Sequence, residues 1–451
     1  MRRRLVSGSY PVVVAGSGWA GLAAAVELCE AGVPVTLIES SRQPGGRARS
    51  IRCGDQIVDN GQHLLTGACK KVLALMENVG VDINSAVLRI PFSLTQRNGT
   101  CSSLSLRTAA LPAPLHLAAA LIMARGLSLY ERMLIFRFGH YLMQTGPDHD
   151  QDISVRTLLN DHKQTPSSIR RLWEPLCVSA LNTPLTESSA QLFVNVLRES
   201  FFRSNADSDL IIPRLGLSRL FPQPAINYLE KQGAHVLLGQ RVTDLDIQDN
   251  RVSAVYANGC RIPASQVVLA TPHAIARRIM SPHPQLGIIC ENLSGLGHEP
   301  VTTLYLEYPP AITLDQPLVS LTGGTAQWIF DRSVCGQPGL MAVVISARGP
   351  HTGWTKAHLV ARIVAEIAQC YPDWPEPVNT LLVREKHATY TASAAVNRLR
   401  PGNRTPVQGL WLAGDYTYSK LPATLEAAVS SGIDCARVLL SELPKKESMV
   451  Y

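Results

Sequence analysis

Three features predict an α/β protein: a β-branched strand running into a glycine-rich turn and an alanine-rich helix, a second apolar strand that stops on a glutamate, and a late strand–glycine–aspartate unit followed by a helix. Together they place a Rossmann-like nucleotide-binding lobe, discontinuous along the chain, beside an α+β lobe for a second ligand. A length of 451 residues suits one large two-lobed protein. Hydrophobic residues make up 46% and charged residues 17%, which excludes a disordered chain. The net charge of +7 suits an anionic ligand, a lipid surface or nucleic acid. No run of five or six like charges is present, so a nucleic-acid arm is not expected.

Each element has a physical reason. Val12-Val13-Val14-Ala15 reads as a buried strand. Gly16-Ser17-Gly18-Trp19-Ala20-Gly21 follows at once, then the helical run Leu22 to Ala31. Gly16 permits the tight turn, Gly18 lets backbone approach a pyrophosphate, and Gly21 lets helix and sheet pack closely. The helix N-terminus offers free N–H groups and a positive dipole end to phosphate. Gly32 ends the helix, and Val35 to Ile38 is a second strand closed by Glu39, a carboxylate suited to ribose hydroxyls. Gln43-Pro44-Gly45-Gly46-Arg47-Ala48-Arg49 then combines a double glycine with guanidinium charge, as a second approach to the pyrophosphate requires.

The middle of the chain predicts a strand at Ala234 to Leu238. A meander follows through Val242 to Ile247, Val252 to Tyr256 and Cys260 to Ile262, turning at Asp249-Asn250 and Asn258-Gly259. Val267 to Thr271 is a further buried strand. Near the C-terminus, Gly409 to Asp415 reads as a strand ending in Gly414-Asp415, and a helix is expected to start at Leu421 with Pro422 in its first turn. The predicted nucleotide lobe therefore comprises residues 1–100, 206–275 and 385–451, and the second lobe 101–205 and 276–384.

Ten scattered cysteines contain no CxxC, and twelve histidines form no HExxH. No metal site is expected. Asp148-His149-Asp150 reads as a solvated loop. The cysteine usage points to a reducing cytoplasm. Met1-Arg2-Arg3-Arg4 leads into the phosphate-binding turn rather than a cleavage site, so no signal peptide is expected. Residues 106–145 suggest two helices, apolar on most sides, with Arg125, Arg132 and Arg137 interleaved. Two readings stay open for them: a membrane-surface patch through which a lipid enters, or a buried helical hairpin.

The segment 43–49 resembles the second FAD motif of the flavin amine oxidase and phytoene desaturase superfamily. That resemblance implies an FAD-binding lobe of the amine oxidase type, with Asp415 on the ribityl chain and the following helix aimed at the flavin's pyrimidine end. The cofactor-binding residues expected are Gly16, Gly18, Gly21, Glu39, Gly45, Gly46, Arg47, Val242, Gly414, Asp415, Ala423 and Thr424. Further stretches are Asp59-Asn60-Gly61-Gln62-His63, Leu172-Trp173-Glu174-Pro175-Leu176, Ala180-Leu181-Asn182-Thr183, Pro213 to Leu220, Gln327 to Arg332 and Leu421 to Glu426. With them the chain, from about 11 to 440, resembles the squalene-associated FAD-dependent desaturases of bacterial hopanoid biosynthesis. One departure is Ala427, where that family is expected to favour glycine.

This resemblance implies a reductive step on a C30 isoprenoid, hydroxysqualene: loss of an allylic hydroxyl as water, with hydride from reduced FAD. Hydroxide is a poor leaving group, so an acid should protonate it. An aromatic-lined pocket suits the allylic cation. His63, Glu174 and Asp331 are the candidate acids. An electron donor outside the chain is required, because no second GxGxxG is evident. The place of action expected is the cytoplasm, with peripheral contact on the inner face of the plasma membrane. Rival readings are an oxidative isoprenoid desaturase, an amine oxidase, and a non-catalytic lipid escort resembling the GDP-dissociation inhibitors. Intact Gly45-Gly46-Arg47 and Gly414-Asp415 argue against the escort.

Overall fold

The computed structural model describes residues 11–54, 56–144 and 152–443. Asp148-His149-Asp150 and the arginines at 2–4 lie outside them. The β-branched strand Val12–Ala15 is buried throughout and sits at the centre of a five-stranded parallel sheet. In spatial order the strands are His235–Leu238, Val35–Glu39, Val12–Ala15, Val267–Leu269 and Leu410–Leu412. Val12 pairs with Val35, Val13 with Val267, and Val267 with Leu410. Strands buried on both faces need helices on both sides, which explains their continuous apolar runs. The helices Trp19–Glu30 and Leu425–Glu442 pack together through glycine: a Cβ on Gly432 would lie 2.1 Å from the Ala20 carbonyl oxygen.

Val242–Gln248, Arg251–Ala257 and Cys260–Pro263 form the antiparallel meander. Its turns carry positive φ at Asp249, Asn250, Asn258 and Gly259, the conformation that tight hairpins demand. The strand His235–Leu238 does not join it. It lies at the edge of the parallel sheet against Val35–Glu39.

A seven-stranded sheet forms the second lobe, in the order Asn379–Thr389, Glu299–Glu307, Leu340–Ser346, Trp328–Asp331, Leu318–Leu321, Ser93–Asn98, Cys101–Arg107. All its pairings are antiparallel except Leu318–Leu321 with Ser93–Asn98. The sheet takes Ser93–Asn98 and the whole of Asn379–Thr389, so the lobe borders expected at 100 and 385 shift. Strand pairing across the sheet, which no local pattern encodes, sets them. The helix Lys356–Cys370 covers one face with Leu359, Ile363 and Ile367 against Leu304, Met341 and Val343.

A helical group, Val155–Asp161, Glu174–Leu181 and Ala190–Phe201, closes the other side of the lobe. Ile169–Trp173 is a π-helical turn that ends where Glu174-Pro175 begins. Proline lacks an N–H and crowds the preceding turn, and the widened turn accommodates it. Trp173 is buried there, donates to Gln164 Oε1 at 2.8 Å, and meets Phe138 edge-on at 5.2 Å.

The stretch 106–145 folds as two helices, Leu115–Met123 and Leu129–Gln144. One side is core, with His116, Leu121, Leu134, Phe138 and Leu142 buried. The other side is bare: nine of the thirteen exposed large apolar side chains among the described residues lie between Leu111 and Met143. No helix among the described residues is long and apolar enough to cross a membrane.

Candidate active site

The two glycine turns meet backbone to backbone. Gly18 bridges Gly45, the Gly45 N–H donates to the Ser17 carbonyl at 2.9 Å, and a Cβ on Gly46 would lie 3.1 Å from the Gly18 Cα. Gly16, at φ +108°, faces the Ala270 carbonyl at a distance no Cβ tolerates, 2.6 Å. Gly18 differs: nothing lies within 4 Å of where its Cβ would point, and it caps the helix Trp19–Glu30 with no side chain bound to the helix N–H groups. That leaves an open cradle at the positive end of a helix. Two buried polar atoms at its edge, Arg49 Nε and Thr271 Oγ1, have no partner among the described residues. These features fit a ligand carrying a pyrophosphate.

Glu39 ends its strand beside this cradle. Its oxygens accept from Ser17 N–H at 2.7 Å, Ser17 Oγ at 2.9 Å, Ser41 N–H at 2.8 Å and Ser40 Oγ at 3.1 Å. Two of those donors are hydroxyl rotors that a ribose diol can replace. The chain from the edge strand returns past Glu39 through the Gln240 N–H, which donates to the Glu39 carbonyl at 2.8 Å, and so brings in the buried Val242. Arg47 and Asp415, far apart in sequence, form an ion pair at 2.8 Å, and Arg47 also donates to the Ala388 carbonyl at 2.8 Å. Gly414 leads into Asp415 and donates its N–H to Ser431 Oγ at 2.9 Å. The last helix begins at Leu425 rather than Leu421, because the Thr424 hydroxyl accepts from the Ala427 N–H and fixes the first turn there.

Ala423 and Thr424 open onto a cavity of about 1200 Å³. This exceeds the roughly 300–1,000 Å³ usual for small-molecule sites. Its wall is largely apolar, with Phe92, Phe193, Phe201, Trp328 and Phe330 supplying the aromatic surface. Strand alternation explains Gln327 to Arg332: Trp328 and Phe330 face the cavity, whereas Ile329 packs beneath the covering helix. Asn182, in the left-handed conformation at φ 48°, also lines it. Its amide is fully engaged, with Nδ2 donating to Thr389 Oγ1 and the Pro300 carbonyl and Oδ1 accepting from the Ala347 N–H.

Of the three expected acids, His63 alone lines the cavity. Burial lowers its pKa below the ordinary histidine range, although Asp59 pulls the other way. At neutral pH it is an uncharged imidazole rather than a charged acid. Its Nδ1 lies 3.4 Å from the Gly61 carbonyl, which can only accept; that assigns the proton to Nδ1 and leaves Nε2 as an acceptor. Glu174 is displaced from the site: helical periodicity turns Leu176, Ser179 and Ala180 to the cavity and Glu174 away. Asp331 is displaced by the strand alternation that exposes Phe330. Its carboxylate accepts from the Leu314 N–H at 2.9 Å and the Ser333 N–H at 2.8 Å, capping the turn that follows.

Several participants were missed. Arg332 pairs with Asp59 at 3.0 Å, not with its neighbour Asp331, and both partners are buried. This joins the two stretches 59–63 and 327–332 across the lobes. Glu426 lines the cavity and accepts from the Lys71 and Val72 N–H groups at 3.1 and 3.0 Å, where the helix Lys70–Asn78 begins; burial raises its pKa. Both stretches stood out in the sequence, but their partners did not.

A family model for flavin containing amine oxidoreductase matches residues 19–440, and the chain belongs to that family. It is an FAD-dependent oxidoreductase. Among its relatives, it is 28% identical to hydroxysqualene dehydroxylase of Rhodopseudomonas palustris, over 96% of this chain and 99% of that one. Identity to hydroxysqualene dehydroxylase of Sinorhizobium fredii is 27%, over 96% and 98%. A putrescine oxidase variant redesigned in its cofactor binding superposes with a TM-score of 0.75 at 17% identity, over 96% of this chain and 99% of that one, and shares the fold.

Proposed function

We propose that this chain removes the allylic hydroxyl of hydroxysqualene reductively, giving squalene and water. The observation that carries the reading is the cavity: about 1200 Å³, aromatic-walled, largely apolar, and opening at Thr424 where the helix-capped flavin site begins. Such a wall suits a C30 hydrocarbon and a developing carbocation. FAD, when bound and fully reduced, would supply the hydride and also the proton that turns the departing hydroxide into water. Residues Gly18, Gly45, Gly46 and Arg47 with Asp415 hold the cofactor, and Glu39 takes its ribose. The apolar wall excludes water from the reacting centre. His63 offers an acceptor at Nε2 rather than a charged acid.

The bare face of the two helices carries a second part of the reading. Leu129, Tyr130, Met133 and Phe136 are exposed beside exposed Arg125 and Arg137. An apolar face with cationic margins fits an anionic lipid surface. The inner side of the same helices packs in one cluster with Phe92 and Leu94, which line the cavity. The substrate then arrives from the lipid phase, and an electron donor outside the chain reduces the flavin.

The test is to mix the anaerobically reduced holoprotein with hydroxysqualene, follow flavin reoxidation and extract the product. Stoichiometric squalene with oxidised flavin is expected. Fully bound flavin without reoxidation refutes the reading and transfers it to oxidative isoprenoid desaturation.

A further inference from the structure

Beside His63 on the cavity wall stands a closed ring of hydrogen bonds, buried at Asp59 and half-buried at Gln62. Arg332 Nη1 donates both to Asp59 Oδ2 at 3.0 Å and to Gln62 Oε1 at 2.9 Å. Gln62 Nε2 donates to Tyr305 Oη at 2.8 Å, and Tyr305 Oη donates to the Asp59 carbonyl at 2.7 Å. The Asp59 carboxylate is further held by Ser50 Oγ and the Leu217 N–H, each at 2.8 Å. Arg332 is fixed from the other side by Gln337 Oε1, at 2.9 and 3.1 Å.

This ring settles how the Gln62 amide is turned. A guanidinium only donates, so the amide oxygen must face Arg332 and the NH2 group must face away. One of its two N–H groups serves Tyr305; the second has no acceptor among the described residues, and Gln62 lines the cavity. The cationic donor on the amide oxygen draws charge from the nitrogen and strengthens that remaining N–H as a donor. Close to Gln62 the other donors are differently placed: both Asn182 amide hydrogens are engaged, the only N–H of the neutral His63 ring lies toward Gly61, and the Thr424 hydroxyl oxygen accepts from the Ala427 N–H while its own hydrogen stays free among the described residues, without a cation to polarise it.

We infer that Gln62, oriented by Arg332 and Tyr305, is the hydrogen-bond donor that recognises the substrate's hydroxyl oxygen and so selects the hydroxylated chain over the plain hydrocarbon. The inference rests on the dehydroxylation reading. Donation to that oxygen also stabilises the negative charge that grows on it as the C–O bond stretches. His63 Nε2, beside it in sequence, can accept a hydrogen bond from the bound hydroxyl and so orient it, while the proton that completes the departing water comes with the hydride from the reduced cofactor.

The test is titration of the oxidised holoprotein with hydroxysqualene and, separately, with squalene, following the flavin absorbance. The unaltered protein is expected to bind hydroxysqualene about tenfold more tightly, the factor one net hydrogen bond supplies. Gln62→Glu keeps the shape and the contact to Arg332 but removes the N–H donor. It is expected to bind squalene as before and to lose the preference. Gln62→Leu, which adds no charge, must lose it too, with flavin content and unfolding midpoint showing that the protein is folded. A preference retained in either folded variant overturns the inference. Equal binding of the two ligands by the unaltered protein overturns it while leaving the reaction in place. Binding of neither ligand refutes the dehydroxylation reading itself, and the inference falls with it.

Discussion

Replacing Gly18 by alanine separates cofactor binding from folding. Gly18 has φ −66° and ψ 172°, an ordinary extended conformation, and a Cβ there meets nothing within 4 Å. Two small terms then act on the empty protein. Removing glycine from the unfolded chain stabilises by about 0.4–1 kcal/mol. Losing glycine as helix cap costs a similar amount, since alanine is among the poorest caps. They nearly cancel, so the flavin-free protein should unfold within about 1 kcal/mol of the original. The new methyl, however, stands in the open cradle where a pyrophosphate must approach. Flavin affinity should fall at least tenfold. Gly21→Ala is the contrast: its Cβ would lie 1.9 Å from the Gly16 carbonyl oxygen, so the turn itself must move. It should destabilise the flavin-free protein by about 3 kcal/mol or more. The assay is urea unfolding of the flavin-free proteins together with fluorescence titration by FAD. Undiminished flavin affinity in Gly18→Ala, or a loss of stability matching Gly21→Ala, refutes the cradle assignment.

Arg332→Met leaves Asp59 charged, buried and without its cation, and should cost about 3–5 kcal/mol in urea unfolding. Arg437→Met, which breaks the exposed pair with Glu27, should cost under about 1 kcal/mol; equal effects would show that the Asp59 pair is not a buried one. Burial and the adjoining His298 hold His273 down to about 4, from an ordinary value of 6.5. The unfolded chain therefore takes up this proton first, and stability should be full above about pH 6.5 and fall as pH drops toward 4. The loss is about 3 kcal/mol. His273→Gln should flatten that slope, and an unchanged slope assigns it to other groups. Leu129→Glu with Phe136→Glu should abolish flotation with anionic phospholipid vesicles while leaving flavin content intact; continued flotation refutes the lipid-facing assignment.

The nucleotide end was legible in the sequence because its information is local. A strand, a turn of three glycines, a helix and a terminal carboxylate occupy residues 12–39 without a break, and each residue's role follows from backbone sterics within that stretch. The meander was equally legible, since Asp249-Asn250 and Asn258-Gly259 specify their own turns. The strand at 235–238 was recognised, but its place was not, because a parallel sheet is ordered by partners more than a hundred residues away.

The substrate end shows the opposite case. Glu174 and Asp331 look like acids in sequence, yet helical and strand periodicity turn them from the cavity, and Asp331 is consumed by two backbone N–H groups. His63 lines the cavity, but burial there lowers its pKa and leaves it uncharged at neutral pH. Gln62 was singled out only as part of the stretch 59–63, with no role of its own. Its significance arises only when Arg332, 270 positions later, fixes its amide and Tyr305 takes one of its hydrogens. Sequence determined a dinucleotide site, because glycines and a carboxylate in one short stretch suffice for a phosphate and a ribose, and the resemblance of residues 43–49 to a second FAD motif implied the flavin. Tertiary structure decided which polar groups remain free to meet a substrate, because that depends on which donors and acceptors the rest of the fold has already claimed.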